Sequence, residues 1–185
     1  MNNRYVIRFA GSGGQGVVLA SVFLAQAAVL NGSKVVQSQT YGPETRGGMC
    51  QAYTIISNEE IWFTKPEKSD VLIALTQAAL NKFSKDTVSV IIADKGLNIS
   101  ESCPVSRVYY LPILETAAKI VGQLMTANVV AAAIVNSLFN LFPEEIMLEA
   151  IRMHIPSGTE ELDIKAFEEG KKLAEKAKSV IPDDI

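Results

Sequence analysis

Short runs of apolar residues alternate along this chain with longer segments of helical character. The short runs are rich in β-branched and aromatic residues, which pack well on a pleated sheet, so they predict strands. The predicted strands are Arg4–Ala10, Lys34–Thr40, Met49–Ser57, Glu60–Thr64, Asp70–Leu75, Val88–Ala93 and Val105–Leu111. Only Asn58 and Glu59 separate the third run from the fourth, which predicts a tight antiparallel hairpin.

The longer segments predict helices between and after the strands. They are Gly14–Asn31, which Gly32 ends, then Gln77–Phe83, Ile113–Val121, Thr126–Leu141, Pro143–Met153 and Glu160–Ser179. The first helix joins the first two strands, which predicts a βαβ unit with a right-handed crossover. We therefore expect residues 1–185 to form one α/β domain, a Rossmann-like three-layer fold. Its sheet is expected to be mostly parallel with one antiparallel hairpin, and helices are expected on both faces.

Composition narrows the classes of partner. The net charge is −3, so the chain offers no broad basic field and we expect no nucleic-acid partner. The charge-free segment Ile120–Phe142 contains amide and hydroxyl side chains that would be costly in lipid. We interpret it as buried core or subunit contact and expect no membrane partner. The N-terminus leads directly into a strand without a leader, which predicts a cytoplasmic protein.

Two of the predicted helices, Gly14–Asn31 and Thr126–Leu141, lack charged residues on every side. A helix with one side in water normally shows a polar face. The two helices therefore cover each other, or part of their surface is a subunit interface. Both alternatives stay open, and the second includes a homodimer of the isolated chain.

A glycine-rich loop joins the first predicted strand to the first helix. It consists of Gly11, Ser12, Gly13, Gly14, Gln15 and Gly16. Its first, third and sixth residues follow the GxGxxG pattern of dinucleotide-binding folds, in which N–H groups at a helix start receive a phosphate. The same glycines also fit a turn that only lets the helix pack closely on the sheet. Both interpretations stay open.

The surroundings of this loop disfavour two standard nucleotide sites. A nicotinamide site needs an acidic residue near the end of the second strand. That strand ends in Gln37-Ser38-Gln39-Thr40, and no acid precedes Glu44. A P-loop needs a lysine after the glycines, and none follows them here.

A second loop follows the second predicted strand. It consists of Tyr41, Gly42, Pro43, Glu44, Thr45, Arg46, Gly47 and Gly48. As a binding loop it would use Arg46 for a two-point contact to a carboxylate or phosphate, with Tyr41 as a wall. The alternative is a surface turn with a Glu44–Arg46 ion pair. The density of glycine, which costs chain entropy when ordered, favours the binding role.

The sequence offers no self-sufficient catalytic centre. His154, the single histidine, has no Cys or Asp close by in sequence, and the nucleophile-elbow and zinc-protease motifs are missing. Cys50 and Cys103 are too few, and wrongly spaced, for an iron–sulfur cluster or a structural zinc site. We expect them to be reduced and buried. We accordingly expect no catalytic residue and no metal ligand in this chain.

Taken together, the two loops resemble those of the gamma subunit of 2-oxoacid:ferredoxin oxidoreductases. The matching segments are Gly11–Val17, Tyr41–Gly48, Ser57–Ile61, the turn at Pro66, Asp70–Leu75, Thr126–Ala131 with Asn128, and Lys165–Gly170. The resemblance covers almost the whole chain and is greatest for the 2-oxoglutarate enzyme. Asp163 departs from the family, which often has Asn at that position.

The resemblance implies an activity that this chain does not perform alone. Enzymes of the family convert a 2-oxoacid, coenzyme A and oxidised ferredoxin into acyl-CoA, CO2 and reduced ferredoxin. Thiamine diphosphate, Mg2+ and the iron–sulfur clusters are implied for the other subunits, and the implied partners are the alpha, beta and ferredoxin-like subunits. We hypothesise that the loops Gly11–Gly16 and Tyr41–Gly48 lie side by side at the C-terminal edge of the sheet. There we expect them to dock the thiamine-binding subunits, and contact with coenzyme A is the second choice.

Two functions of other classes stay open. A free-standing nucleotide-binding oxidoreductase of Rossmann type predicts that the isolated chain binds NAD(P)H. A non-catalytic ligand-binding module predicts ligand-induced thermal stabilisation without partner subunits. The 2-oxoacid itself is not specified by this sequence, because its selection is expected on other chains.

Overall fold

A computed structural model of the chain describes residues 4–42, 48–100, 103–105, 107–156 and 158–180. Within these ranges six strands form one sheet. The strands are β1 (Arg4–Ser12), β2 (Lys34–Tyr41), β3 (Met49–Ser57), β4 (Ser69–Ala74), β5 (Thr87–Asp94) and β6 (Arg107–Leu111). The helices are α1 (Val17–Leu30), α2 (Gln77–Phe83), α3 (Ile113–Glu115), α4 (Ala127–Phe139), α5 (Glu144–Arg152) and α6 (Glu160–Val180). A π-helical turn, Thr116–Val121, extends α3 and completes the helix predicted there.

The sheet has the strand order β2-β3-β1-β4-β5-β6. Strands β1, β4, β5 and β6 are parallel, whereas β3 runs antiparallel to both of its neighbours, β1 and β2. The sheet is thus mostly parallel with one antiparallel hairpin, β2–β3. This arrangement confirms the fold class predicted from the sequence.

The insertion of β3 corrects the picture of a simple βαβ unit at the N-terminus. Because β1 and β2 are both antiparallel to β3, they run in the same direction as expected. They are not neighbours, however, since β3 pairs with β1 from Arg4↔Ser57 to Ser12↔Met49 and with β2 from Lys34↔Ser57 to Tyr41↔Cys50. The ends of β1 and β2 and the start of β3 therefore lie at the same edge of the sheet, namely the one formed by the carboxyl ends of the parallel strands.

The predicted strand Glu60–Thr64 is wrong, and so is its hairpin with β3. Both edges of β3 are already paired, with β1 and β2, so no edge remains for a further strand. The segment instead leaves the sheet, with Trp62 and Phe63 exposed to 83% and 80%. An ion pair between Lys34 and Glu60 ties it to the start of β2.

Helices cover both faces of the sheet. One face, which includes Ile7 and Phe9 of β1, is packed by α1, α4, α5 and α6. On the opposite face Leu72 and Ile91 belong to a second cluster that includes Leu80 and Phe83 of α2. These two apolar layers form the core around the central strands.

The charge-free segment Ile120–Phe142, interpreted as buried core or subunit contact, is buried from residue 126 to residue 136, whereas residues 122–125 are exposed. In α4 eleven of the thirteen residues are buried, and the helix packs on α1 and α6. Among the described residues no helix is long and apolar enough to span a membrane. Helix α1 is covered by β3, α4 and α5, yet Val29 and Leu30 at its end remain exposed to 56% and 39%. The two uncharged helices thus cover each other only in part.

Helices α4 and α6 approach most closely at Gly170. A Cβ at this position would lie 2.6 Å from the carbonyl oxygen of Val130 and 2.7 Å from Cβ of Ala133. Both distances are shorter than real carbon contacts, and one of them involves backbone. The glycine is therefore what allows α6 to lie directly on α4.

Asp163 is the buried carboxylate of the first turn of α6, with only 7% exposure. Its Oδ2 atom has no hydrogen-bond partner among the described residues. Burial raises the pKa of Asp163, and Glu160 adds to this, while a hydrogen bond with the Thr159 side chain opposes it. The ionised carboxylate is thus poorly compensated.

We expect Gly170→Ala to destabilise the fold although alanine is the better helix former. The clash with α4 should cost about 1–3 kcal/mol, more than the ~1 kcal/mol gained in helix propensity. Urea denaturation measures the difference. Lys165→Ala, on the exposed side of α6, is the control and should change the free energy of unfolding by less than about 0.5 kcal/mol. Equal stability of both variants and the wild type would contradict the close contact.

We expect Asp163→Asn to stabilise the fold at pH 7, by about 1 kcal/mol, because it removes a buried charge without a full set of partners. A raised pKa in the folded state means that the stability contributed by the protonated acid is lost as pH rises through that pKa. The advantage of the variant should therefore shrink as pH falls towards 3.8, the ordinary pKa of the side chain. Urea denaturation between pH 4 and 7 follows it. Exposed Glu161→Gln is the control, and a destabilised Asp163→Asn at pH 7 would show that the carboxylate is paired.

Candidate functional site

The glycine loop between β1 and α1 is held by its own Gln15. The Oε1 atom of Gln15 accepts the N–H of Ser12 at 2.7 Å, and the N–H of Gln15 donates to the Ser12 carbonyl at 3.2 Å. A Cβ on Gly11 would come within 2.4 Å of this Oε1 atom. Gly11 is thus required so that the side chain of Gln15 can fold across the loop.

Two further glycines of the loop have left-handed backbone. Gly16 precedes α1 with φ 72°, and a Cβ there would come within 2.8 Å of Cβ of Asn128. Gly14 has φ 94° but no atom within 4 Å of a Cβ position. Gly16 is therefore fixed by both conformation and packing, whereas Gly14 presents an open backbone to solvent.

The second loop meets the first through a backbone hydrogen bond. The N–H of Gly13 donates to the carbonyl of Gly48 at 3.0 Å, and the N–H of Gly42 donates to the Met49 carbonyl at 2.7 Å. The structure thus joins the loop of Gly11, Ser12, Gly13, Gly14, Gln15 and Gly16 to Gly48, while Tyr41 lies at the same edge of the sheet but on the far side of β3. Glu44, Arg46 and Gly47, which the sequence also nominates, lie outside the described residues.

The start of α1 has unused hydrogen-bond donors. Gly16, the residue before the helix, has no side chain to cap it, and the first turn of α1 has no acidic residue. The first helical bond runs from Ala20 to the Gly16 carbonyl, and no acceptor among the described residues bonds the N–H groups of Val17, Val18 and Leu19. Such a helix start favours an acceptor or an anion.

Asn128 was missed as a site residue by reasoning from the sequence, which noted it only within a matching segment. Its side chain is 8% exposed and lies against Gly16. The Oδ1 atom accepts the N–H of Val129 at 2.8 Å. No local sequence signal could have found this contact, because it joins the starts of two helices distant along the chain.

Other polar side chains at this edge are committed to the fold. Thr76, after β4, accepts the N–H of Ala79 and so caps α2. Asp94, at the end of β5, accepts the N–H of Leu114 at 2.9 Å. Burial raises the pKa of Asp94, and this and other backbone hydrogen bonds oppose that shift. Both side chains are thus occupied by backbone N–H groups, and the Asp94 carboxylate is not an unpaired acid or base.

The edge also contains the switch point of the sheet. Helix α1 follows β1 onto one face, and α2 follows the adjacent parallel strand β4 onto the other. Open α/β sheets bind ligands in the crevice that such a reversal creates. The end of β2, where a nicotinamide fold holds the ribose, is separated from β1 by β3 and hence by about 10 Å. The geometry therefore disfavours a standard nicotinamide site.

Large apolar side chains are exposed close to this crevice. Tyr41, at the end of β2, is 62% exposed, and Leu124 and Met125, just before α4, are 54% and 68% exposed. Exposed apolar side chains that neighbour one another, as Leu124 and Met125 do in sequence, are typical of surfaces that contact another protein. The sequence had nominated only Tyr41 of the three.

The described residues contain no group of three or more His, Cys, Asp and Glu side chains that could hold a metal ion. Cys50 is a buried free thiol, and burial raises its pKa. Cys103 is a free thiol that is only half-buried, so the expectation of two buried cysteines holds in part. His154 lies near Gln26 at the far end of α1, with 3.3 Å between Nε2 and Oε1.

Fold and site together define a class of protein: a Rossmann-like α/β subunit whose two glycine loops and helix start lie at one edge of the sheet. Residues 6–173 match the family described as pyruvate ferredoxin/flavodoxin oxidoreductase. The chain belongs to this family, as a gamma subunit of the 2-oxoacid:ferredoxin oxidoreductase type.

Relatives and solved structures agree with this assignment. The 2-oxoglutarate synthase subunit KorC of Methanocaldococcus jannaschii is 38% identical over 184 residues, covering 94% of this chain and 98% of that protein. The gamma subunit of a keto/oxoacid ferredoxin oxidoreductase from Geobacter sulfurreducens is 36% identical, covers 94% of this chain and 98% of its own, and has a TM-score of 0.82. The 2-oxoglutarate:ferredoxin oxidoreductase from Magnetococcus marinus shares the fold with a TM-score of 0.81 at 24% identity, over 95% of this chain and 32% of that one.

We expect Gly16→Ala to destabilise the chain more than Gly14→Ala. Both variants place alanine in left-handed backbone, at about 1–2 kcal/mol each. Only Gly16→Ala also displaces Asn128, which should add about 1–3 kcal/mol. Urea denaturation of the two variants measures the difference. The contact of α1 with α4 would be contradicted if Gly14→Ala proved equally or more destabilising.

Proposed function

We propose that this chain is the gamma subunit of a multisubunit 2-oxoglutarate:ferredoxin oxidoreductase. The complex decarboxylates 2-oxoglutarate oxidatively with coenzyme A, giving acyl-CoA, CO2 and reduced ferredoxin. In this proposal residues 1–185 act as one gamma-type domain of a cytoplasmic enzyme. Its role is to dock the thiamine-binding subunits through the surface made by Gly11–Gly16 and Tyr41–Gly48, and the isolated chain is inactive.

The observation that carries the docking role is the hydrogen bond of 3.0 Å between Gly13 and Gly48. It joins the two loops, so that a partner meets both of them at once. Exposed Tyr41 at the end of β2, and exposed Leu124 and Met125 before α4, would provide apolar area for such a partner. An interface needs such apolar anchors beside polar groups that fix the orientation.

The choice of 2-oxoglutarate is supported by the relatives. KorC proteins match almost the whole chain, at 38% identity for the Methanocaldococcus jannaschii protein. The ketoisovalerate oxidoreductase subunit VorA of Methanothermobacter thermautotrophicus is 33% identical, and the matched region spans only 36% of that protein. We assign thiamine diphosphate, Mg2+ and the iron–sulfur clusters to the alpha, beta and ferredoxin-like subunits.

Contact with coenzyme A is a second role for the same surface. The N–H groups of Val17, Val18 and Leu19 at the start of α1, which have no acceptor within the described ranges, favour it, because a helix start is suited to a phosphate. Arg46 would add a two-point contact to a phosphate. Docking remains the first role, since it accounts for the exposed apolar side chains as well.

We expect Gly14→Val and Arg46→Ala to weaken association with the partner subunits by about tenfold or more, a change of ~1.4 kcal/mol or above. Co-purification from co-expressed subunits and 2-oxoglutarate-dependent reduction of ferredoxin measure it. A side chain at Gly14 would intrude on the open backbone of the loop.

Gly32→Val is the matched control for Gly14→Val. Gly32 also has left-handed backbone, φ 77°, and open space around its Cβ position, but it lies at the other end of α1. This variant should suffer similar strain and still assemble. Normal assembly and turnover of both Gly14→Val and Arg46→Ala would show that the loops are only structural. NAD(P)H binding by the isolated chain would favour the nucleotide-binding alternative instead.

A further inference from the structure

Strand β2 is the last strand on its side of the sheet, and no strand of the described ranges lies beyond it. It spans eight residues, contains no proline and carries one charge, Lys34 at its start. The edge strand on the other side, β6, has five residues, begins with Arg107 and is followed by Pro112. Charges and prolines protect an edge strand, whereas a long uncharged edge is a template for another strand. The β2 edge is therefore the one suited to a partner.

Alternate residues of β2 direct their backbone groups away from the sheet. The N–H of Gly42 donates to the Met49 carbonyl at 2.7 Å, and the register of β2 with β3 continues from this pair. In an antiparallel ladder, residues bonded to the neighbouring strand alternate with residues whose N–H and C=O groups point the other way. No other described segment of backbone bonds to these outward groups. They belong to Val35, Gln37, Gln39 and Tyr41.

An apolar face of α1 adjoins the β2 edge. It consists of Val18, Val22, Ala25 and Val29, which recur at helical spacing and are half-buried or, at Val29, exposed. Val18 and Ala25 flank Ser21 on the same side of the helix, and the Oγ atom of Ser21 accepts Gln37 Nε2 at 2.9 Å. This α1 face therefore lies next to β2. The sheet, α4 and α5 cover the other sides of the helix.

A second copy of this chain fits the β2 edge without a conflict of charge. Two β2 strands related by a two-fold axis run antiparallel, and their outward groups bond only if the axis passes through a residue. With the axis at Gln37, Val35 pairs with Gln39 of the second copy. Lys34 then lies opposite the uncharged Thr40, and the two Lys34 residues are about 20 Å apart. No like charges meet along the strands.

The same axis brings the two α1 faces together. Because Ser21 bonds Gln37, the turn of α1 that carries Val22 is the one nearest to the axis. Helix α1 has no charged residue, so two copies of it meet without repulsion. A single added strand from another protein would pair with β2 but leave the α1 face in water. A second copy covers the strand and the helix face at once.

We propose that the β2 edge and the α1 face form a two-fold interface between two copies of this chain, which joins their sheets through β2. Tyr41 and the loop after it lie beyond the paired residues, so the interface leaves them accessible. The interface does not depend on the proposed docking of other subunits, and it is tested on the full-length chain alone.

Sedimentation velocity of the full-length chain should show a dimer, at twice the 20.0 kDa of one chain. Val22→Glu places two carboxylates beside the axis and should raise the Kd of the dimer by about tenfold or more. Gln39→Pro removes an outward N–H without loss of a bond to β3, and it should weaken the dimer in the same way. This second variant decides if Val22→Glu does not fold, which far-ultraviolet circular dichroism reports.

Ile164→Glu is the matched control for Val22→Glu. Ile164 is 38% exposed on α6, the helix that packs against β6 on the other side of the sheet. The same charge on this helix should leave the dimer unchanged. A monomeric wild-type chain would overturn the inference, and so would a dimer that persists in Gln39→Pro and in folded Val22→Glu.

Cross-linking tests the register of the two strands. In a background with Cys103→Ser, Gln37→Cys should form a disulfide between two copies, because facing residues of a bonded pair have Cα atoms about 5.5 Å apart. Gln39→Cys is the control, since the two Gln39 positions are about 13 Å apart across the axis. Gln39 is the more exposed of the two residues, so random collisions would favour its cross-link instead. A dimer that cross-links only through Gln39→Cys, or through neither site, would overturn the strand pairing.

Discussion

The pairing of β3 between β1 and β2 is the constraint on which the candidate site depends. Its antiparallel register sets Ser12 opposite Met49 and Tyr41 opposite Cys50. The loop after β1 and the loop before β3 must then meet, and the hydrogen bond from Gly13 to Gly48 closes them together. If β1 and β2 were direct neighbours, as in a standard dinucleotide fold, the second loop would take the place where that fold holds a ribose. One strand insertion thus replaces a nucleotide site with a two-loop surface.

The second constraint is the close packing of α1, α4 and α6. Gly16 admits Asn128 at the start of α4, and Gly170 admits the backbone of Val130 further along the same helix. Both contacts need a residue without a side chain. They fix where α4 begins, and with it the exposed Leu124 and Met125. The surface that we assign to docking is therefore held by core contacts rather than by flexible side chains.

The sequence predicts the local parts of this architecture well. The first strand, the glycine loop and α1 follow from a pattern of consecutive residues, and Gly32 ends the helix with φ 77° as expected. Predictions of pairing are weaker because partner strands are chosen over long range. Trp62 and Phe63 have high strand propensity, which produced a false strand, whereas the structure leaves them exposed since β3 has no free edge. Asn128 could not be assigned from sequence for the same reason, because its environment is created by a helix start more than a hundred residues away.

Hydrogen–deuterium exchange of the chain, free and assembled with its partner subunits, is the most direct measurement of the central claim. The account predicts that assembly slows exchange at the start of α1, from Gly13 to Leu19, and around Leu124 to Asn128. The opposite edge of the sheet, which carries exposed Trp62 and Phe63, should keep its rate. Protection confined to that opposite edge, with the glycine loops unchanged, would contradict the account.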